Sequence, residues 1–269
     1  MDEKKKIMLE VGNRFKYDRF SFWLDSKSIQ NTIFVAVSGS HAFGWSTDKS
    51  DLDVRIAWIP NLAQAVSPFY KAKTEQFFLY GREIDVTQYP IQTFVSLLER
   101  GNGNCIENLF QFKLYHQPFL CSVLQRIIMD NLHQGILRHY LGYCNSLIRD
   151  LAVPARVLHY GRTKLLLNAY RCALLALAIE KDNIIVSNIR ILAKKHYSDN
   201  QIFIDSLLKN NEEGERVEID YSKVTREVFA LRNELSTTLA RSRLPKVGFS
   251  QVPLDRFVVS LYQNKEVEK

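Results

Sequence analysis

The chain of 269 residues lacks any apolar run that could cross a membrane as a helix. The longest, Ala173–Ile179, falls far short of the roughly 20 residues a spanning helix needs. The first residues, Met1–Lys6, are charged and lead into Ile7-Met8-Leu9-Glu10 without the apolar core and small-residue cleavage site of a secretory signal. A cytoplasmic protein without a membrane partner is the expectation. Cysteine is scarce: Cys105, Cys121, Cys144 and Cys172 have no paired spacing that would suit zinc and no secretory context for disulfides. They read as reduced, mostly core residues. Internal repeats and low-complexity linkers are absent, which excludes a solenoid and flexibly tethered modules. What is present is 46% hydrophobic residues with 12% aromatics, ample for real cores.

The formal charge of +7 is unevenly spread. Residues 1–116 carry 14 basic and 13 acidic side chains, so 22 of the 36 basic and 16 of the 29 acidic ones fall beyond residue 116. The positive field therefore belongs to the second part, which suits a polyanionic partner such as RNA.

The pattern also changes near residue 117. Asn31–Ser38 is β-branched and aromatic and ends on a glycine, as a buried strand does. Asp51–Trp58 alternates, so Asp51, Asp53 and Arg55 share one face of a strand and Leu52, Val54 and Ile56 the other. Glu75–Tyr80 and Glu83–Tyr89 flank Gly81-Arg82 as a hairpin, with Glu83, Asp85 and Thr87 pointing together. Pro90 stops that strand and precedes an amphipathic helix closed by Gly101. Beyond residue 117 helical periodicity dominates, over roughly 118–130, 133–151, 156–181, 188–197, 217–243 and 254–264, with Asn210–Gly214 read as an exposed loop. The expectation is an α+β chain: a mixed sheet with flanking helices over 1–116, then a helical bundle over 117–269.

The stretch Val37-Ser-Gly-Ser-His-Ala-Phe-Gly44, followed by Asp51-Leu-Asp53, carries the chemistry. A strand running into Gly39-Ser40 and a short helix offers backbone N–H groups and a hydroxyl to an anion, and glycine admits a close approach. Two aspartates at alternate strand positions present hard oxygen ligands suited to magnesium, and a third carboxylate would complete the site. Two ions about 3.5–4 Å apart can then activate an attacking hydroxyl and stabilise a pyrophosphate leaving group.

This stretch resembles the DNA polymerase beta superfamily of nucleotidyltransferases, with its Gly-Ser turn, spacer and Asp-x-Asp strand. Gly39–Gly44, Ser50–Arg55, Arg100–Glu107 and, more loosely, Tyr160-Gly-Arg-Thr-Lys164 through Arg171 are similar to the branch associated with RNA repair. The resemblance implies a polymerase beta-like catalytic domain followed by a helical domain. It assigns the triphosphate to Gly39 and Ser40 and the metals to Asp51 and Asp53. Asp85 becomes the third carboxylate, which helps to deprotonate the acceptor, although Glu83 lies on the same expected face. It further implies two Mg2+ or Mn2+ ions, ATP or another nucleoside triphosphate as substrate, and an RNA or tRNA end as acceptor. His41 stands where the branch often carries arginine, and Gly103 where it carries proline.

Other residues have plainer readings beside the functional ones. Arg55 is either a phosphate contact or an ion-pair partner of Asp53. Tyr160, Lys164, Asn168 and Arg171 recur at helical spacing and either line a cleft, with Lys164 on the triphosphate, or form a solvated face. Arg190-Lys194-Lys195 and Arg241-Arg243-Lys246 suit an RNA backbone, as they suit a solvated surface. His41 reads as structural, Asn102, Asn104 and Glu107 as caps, and Trp23, Trp45 and Trp58 as core. A protein or small-molecule acceptor and a catalytically silent binding module are the competing functions.

Overall fold

The computed structural model describes residues 16–20, 31–69, 73–197, 201–214, 216–246 and 250–263; Trp23 lies outside them. Five strands, β1 (Thr32–Ser38), β2 (Leu52–Trp58), β3 (Glu75–Leu79), β4 (Ile84–Pro90) and β5 (Lys113–His116), form one mixed sheet in the order β3-β4-β2-β1-β5. Only β2 and β4 run parallel. Strand β1 lies between β2 and β5 and is buried along its whole length, as its β-branched run requires.

The alternation in β2 gives the sheet two different faces. Val35, Val37, Leu52, Val54, Ile56, Ile84 and Val86 pack with Tyr17 and Phe20 into one core layer. The opposite face meets α3 (Ile91–Glu99), α4 (Gly103–Phe110) and α5 (Pro118–Asp130). Phe94 of α3 stacks edge-on against Phe34 at 5.3 Å and lies 6.0 Å from Tyr89. Both contacts are far along the strands from Asp53 and Asp85, which sit near the starts of β2 and β4. Two short helices, α1 (Gly39–Phe43) and α2 (Leu62–Val66), follow β1 and β2.

The chain packs as two compact units. One comprises the chain up to Ala42, Asp48–Leu132 and the chain from Gly248; the other comprises Phe43–Thr47 and His133–Val247. Helix α5 stays with the sheet because Leu124 and Ile128 bury an apolar face there. Helix α12 (Gln251–Gln263) packs on α3 and α5, and its Tyr262 hydroxyl accepts a 2.9 Å hydrogen bond from Gln92.

The second unit is helical. Helix α8 (Arg162–Asp182) is its hub, buried almost throughout from Thr163 to Ile179 and surrounded by α6 (Gln134–Leu151), α9 (Ile189–His196), α10 (Gln201–Glu212) and α11 (Tyr221–Arg241). The apolar run Ala173–Ile179 is thus a core helix, apolar all round because every side is covered. Among the described residues no helix is long and apolar enough to cross a membrane.

Two expectations are corrected here. The helix expected over 156–181 is broken: α7 (Pro154–Tyr160) ends at Gly161, whose φ of +80° suits glycine. Residues 210–214 are not an exposed loop throughout, since α10 runs to Glu212 and Asn210 is fully buried. Its amide donates to Thr163 at 2.9 Å and Tyr221 at 3.1 Å, and its oxygen accepts from Val217 N–H at 2.9 Å. A polar residue tied to three partners reads in sequence like a loop residue. All four cysteines are free and buried.

Candidate active site

The parallel pairing of β2 with β4 sets the site. Asp53 is the register partner of Asp85, so the two carboxylates project from the same face of adjacent strands that lie about 4.8 Å apart. On the other side Asp53 pairs with Ser38, and the chain then turns at Gly39 with a φ of +60°. A Cβ on Gly39 would stand 1.8 Å from Asp53 Oδ2 and 2.6 Å from its Cγ. Only glycine lets the Gly-Ser turn lie against that carboxylate.

Arg55, two residues along the same face, reaches back over the pair. Its Nη2 donates to Asp53 Oδ1 at 2.9 Å and stands 3.7 Å from Asp85 Oδ2, while Nη1 donates to the carbonyls of Val54 at 3.0 Å and Asp85 at 3.2 Å. Burial, with the added repulsion of Asp51 and Asp85, pushes the Asp53 carboxyl up to about 6 against the opposing pull of Arg55. Asp51 precedes β2 and is exposed.

Among the described residues, no three histidine, cysteine or acidic side chains converge as a ready metal cage. The donor set nonetheless fits a hard divalent cation: the carboxylates repel one another at Asp53, and the space between Asp53 and Asp85 already holds a positive group, the Arg55 guanidinium.

The profile of the RNA repair pathway DNA polymerase beta family, RlaP, matches residues 18–259, which include the sheet, the Gly-Ser turn and the whole helical unit. The chain belongs to the RNA repair pathway DNA polymerase beta family. It is therefore a nucleotidyltransferase. A solved nucleotidyltransferase-like protein from Exiguobacterium sibiricum is similar at 8% identity over 93% of this chain and 80% of that one, with a TM-score of 0.30. So low a score adds no argument. No curated protein matches the chain.

In this nucleotidyltransferase the structure separates residues that the sequence left together. Glu83 lies outside β4 and pairs with Arg19 at 3.0 Å, leaving Asp85 as the carboxylate beside Asp53. His41 is buried, with its Nδ1 3.1 Å from the Tyr17 hydroxyl, and burial lowers its basicity first, Lys16 second. That environment suits a structural residue rather than a charged phosphate ligand. Asn102 caps α4 by accepting from Cys105 N–H at 3.1 Å. Trp45 is buried and Trp58 half-buried.

Tyr160, Lys164, Asn168 and Arg171 do not form one exposed stripe. Tyr160 lies before the Gly161 break, Lys164 is exposed on α8, and Arg171 is fully buried with its guanidinium 3.7 Å over the Phe43 ring. Phe43 belongs to a spacer held within the helical unit. Arg190 Nε donates to the Gly44 carbonyl at 3.0 Å and Asn211 to that of Trp45 at 2.8 Å, while the Asn188 side chain fills the space beside Gly44. Arg190 also pairs with Glu212 at 2.5 Å, so it is committed within the fold, whereas Lys194 and Lys195 are exposed.

One residue at the site escaped the sequence reading. Gln76 Nε2 donates to both Asp85 oxygens, at 3.0 and 3.1 Å. The available signal was the alternation of β3, which puts Gln76 and Phe78 on one face. Outer partners that orient metal ligands affect affinity or rate by about 10–100-fold, and Gln76 is exposed, so Gln76→Ala is expected at the low end, about tenfold in kcat. Steady-state kinetics beside an unchanged melting curve checks this.

Proposed function

We propose that the chain moves a nucleoside monophosphate from ATP or another nucleoside triphosphate to the hydroxyl of an RNA or tRNA end in the cytoplasm, releasing pyrophosphate. The observation that carries the reading is the Asp53–Asp85 register pair lying against the Gly39 turn. Gly39 and Ser40 donate to the triphosphate from the end of β1, and Lys164 is assigned to it from the family resemblance. Asp51, Asp53 and Asp85 hold divalent cations, two Mg2+ or Mn2+ ions. Bound there, the ions supply Lewis acidity to the acceptor oxygen and neutralise charge on the leaving pyrophosphate. Asp85, oriented by Gln76, receives the acceptor proton as the acceptor oxygen bonds to the α-phosphorus and the bond to the β-phosphate oxygen breaks. In this reading the sheet-bearing part, 1–116, is catalytic, and the basic helical part, 117–269, takes the RNA through exposed side chains such as Lys194, Lys195, Arg241 and Lys246.

Incubation with α-labelled nucleoside triphosphates, Mg2+ or Mn2+ and an RNA pool tests the proposal. Nuclease-sensitive label is expected. Label that survives nuclease but not protease moves the acceptor to a protein, and no transfer to any acceptor overturns the reading.

Proton competition supplies a second prediction. A metal ligand must be ionised, and the Asp53 carboxyl is pushed up to about 6 in the metal-free protein. Divalent-ion affinity should therefore be level above that pH and fall below it, by up to about tenfold per pH unit. Calorimetric Mn2+ titrations between pH 5 and 8, spanning that value, read the effect directly. An affinity flat throughout contradicts it.

A further inference from the structure

The Arg55 guanidinium sits among oxygens. Two carboxylate oxygens, from Asp53 and Asp85, and two carbonyls, from Val54 and Asp85, surround it. The side chain is 18% exposed and its two acidic partners 19% and 13%, so the ion pairs are shielded from water. The contacts are unequal: 2.9 Å to Asp53 but 3.7 Å to Asp85. Gln76 meanwhile fixes both Asp85 oxygens in place without contributing charge. Two part-buried carboxylates side by side on adjacent strands call for a counter-charge, and Arg55 supplies it.

We infer that Arg55 is an internal stand-in for the divalent cation: it neutralises Asp53 and Asp85 in the metal-free protein, and metal binds by displacing it from Asp85 first. The inference rests on the metal-dependent reading above. Its consequence runs against the usual expectation for a residue at a catalytic centre, because removing Arg55 should strengthen metal binding. The released guanidinium remains tethered beside the site, where a triphosphate offers it a new bidentate partner. Arg55 thereby acts as a positioning residue that makes metal uptake depend on the nucleotide.

The test is Mn2+ binding without nucleotide, followed by the loss of the free-ion paramagnetic resonance signal, for the full chain and its R55Q, R55K and R19Q variants. R55Q should bind Mn2+ at least about tenfold more tightly than the parent. R55K, which keeps the charge but lacks the forked geometry, should fall between. R19Q removes a nearby charge that pairs with Glu83 and should change affinity by less than about twofold. Metal-free R55Q should melt earlier than the parent and regain stability with Mn2+, because the variant leaves two carboxylates without a counter-charge. If R55Q does not fold without metal, the R55K and R19Q titrations decide the matter. Equal or weaker Mn2+ binding by R55Q and R55K overturns the inference while leaving the metal-dependent reading intact. Equal tightening by R19Q also overturns it, since a general field and not displacement would then be at work. No Mn2+ binding by the parent, with or without nucleotide, overturns both.

Discussion

Asp53→Asn is expected to lower turnover by about a thousandfold or more and, at neutral pH, to raise the melting temperature of the metal-free protein. The loss follows from removing a charged ligand of the proposed metal ions, an interaction worth several kcal/mol in the transition state. The gain follows from the same burial that makes the site work. Desolvation pushes the Asp53 carboxyl from 3.8 to about 6 despite Arg55, so its ionised form is disfavoured in the folded state relative to the unfolded one. A raised carboxyl value means that the folded protein holds the proton more tightly. The cost of the charge is absent below about pH 4, grows as pH rises towards 6, and is complete above it. Asparagine removes a cost of roughly 2–3 kcal/mol. Loss of the Arg55–Asp53 ion pair opposes the gain, but Asp85 remains as a partner for Arg55, and the net upward shift of Asp53 says that burial wins. Melting curves at pH 4 and pH 7.5 separate the two: stabilisation should appear only at the higher pH. A fall in melting temperature at both, or undiminished turnover, contradicts the assignment of Asp53. Asp51→Asn should lower turnover too without this gain, because Asp51 is exposed.

Gly39→Ala should abolish activity and destabilise the protein by several kcal/mol. Its new Cβ would meet Asp53 Oδ2 at 1.8 Å, and the backbone there has a φ of +60°. The conformational penalty alone is about 1–2 kcal/mol, so most of the damage is steric and specific to the carboxylate. Asp53→Ala removes the atoms at 1.8 and 2.6 Å and keeps Cβ, at 3.0 Å. Gly39→Ala should therefore cost markedly less stability in an Asp53→Ala background, with a coupling of at least about 1 kcal/mol. Chemical denaturation of the four proteins measures it. Additive effects would mean that the Gly-Ser turn does not lie against Asp53.

Much of this site was legible in the sequence, for physical reasons that differ residue by residue. The period-2 alternation of Asp51–Trp58 reported which side chains share a face, because a pleated strand allows no other arrangement. The glycine after the β1 run marked a close approach, and the structure shows what is approached. The pairing of Asp53 with Asp85 was out of reach of periodicity, since register between strands far apart in the chain is settled by the turns and packing of the whole sheet. Glu83 and Asp85 have the same parity, and only the end of β4 and the partner Arg19 tell them apart. Gln76 carried no motif at all; its role exists only because β3 lies beside β4.

The helical part was less legible. Helical spacing placed Tyr160, Lys164, Asn168 and Arg171 on one stripe, but a single glycine breaks the helix and the Phe43 ring takes Arg171 into the interior. An arginine stacked on an aromatic ring within a core cannot be told from a solvated one by composition. Asn210 misled in the same way, because a fully satisfied buried amide and a loop amide are the same letter. Helix α5 reads as the start of the bundle, yet it buries its apolar face with the sheet.

The central claim is that Asp51, Asp53 and Asp85 hold the metal ions of nucleotidyl transfer. The most direct test is anomalous diffraction from crystals soaked with Mn2+ and a non-hydrolysable nucleoside triphosphate. Manganese peaks bounded by those three carboxylates are expected, with the triphosphate against Gly39 and Ser40 and Arg55 withdrawn from Asp85. Manganese bound elsewhere, or a triphosphate bound with Arg55 still bridging Asp53 and Asp85, would contradict it.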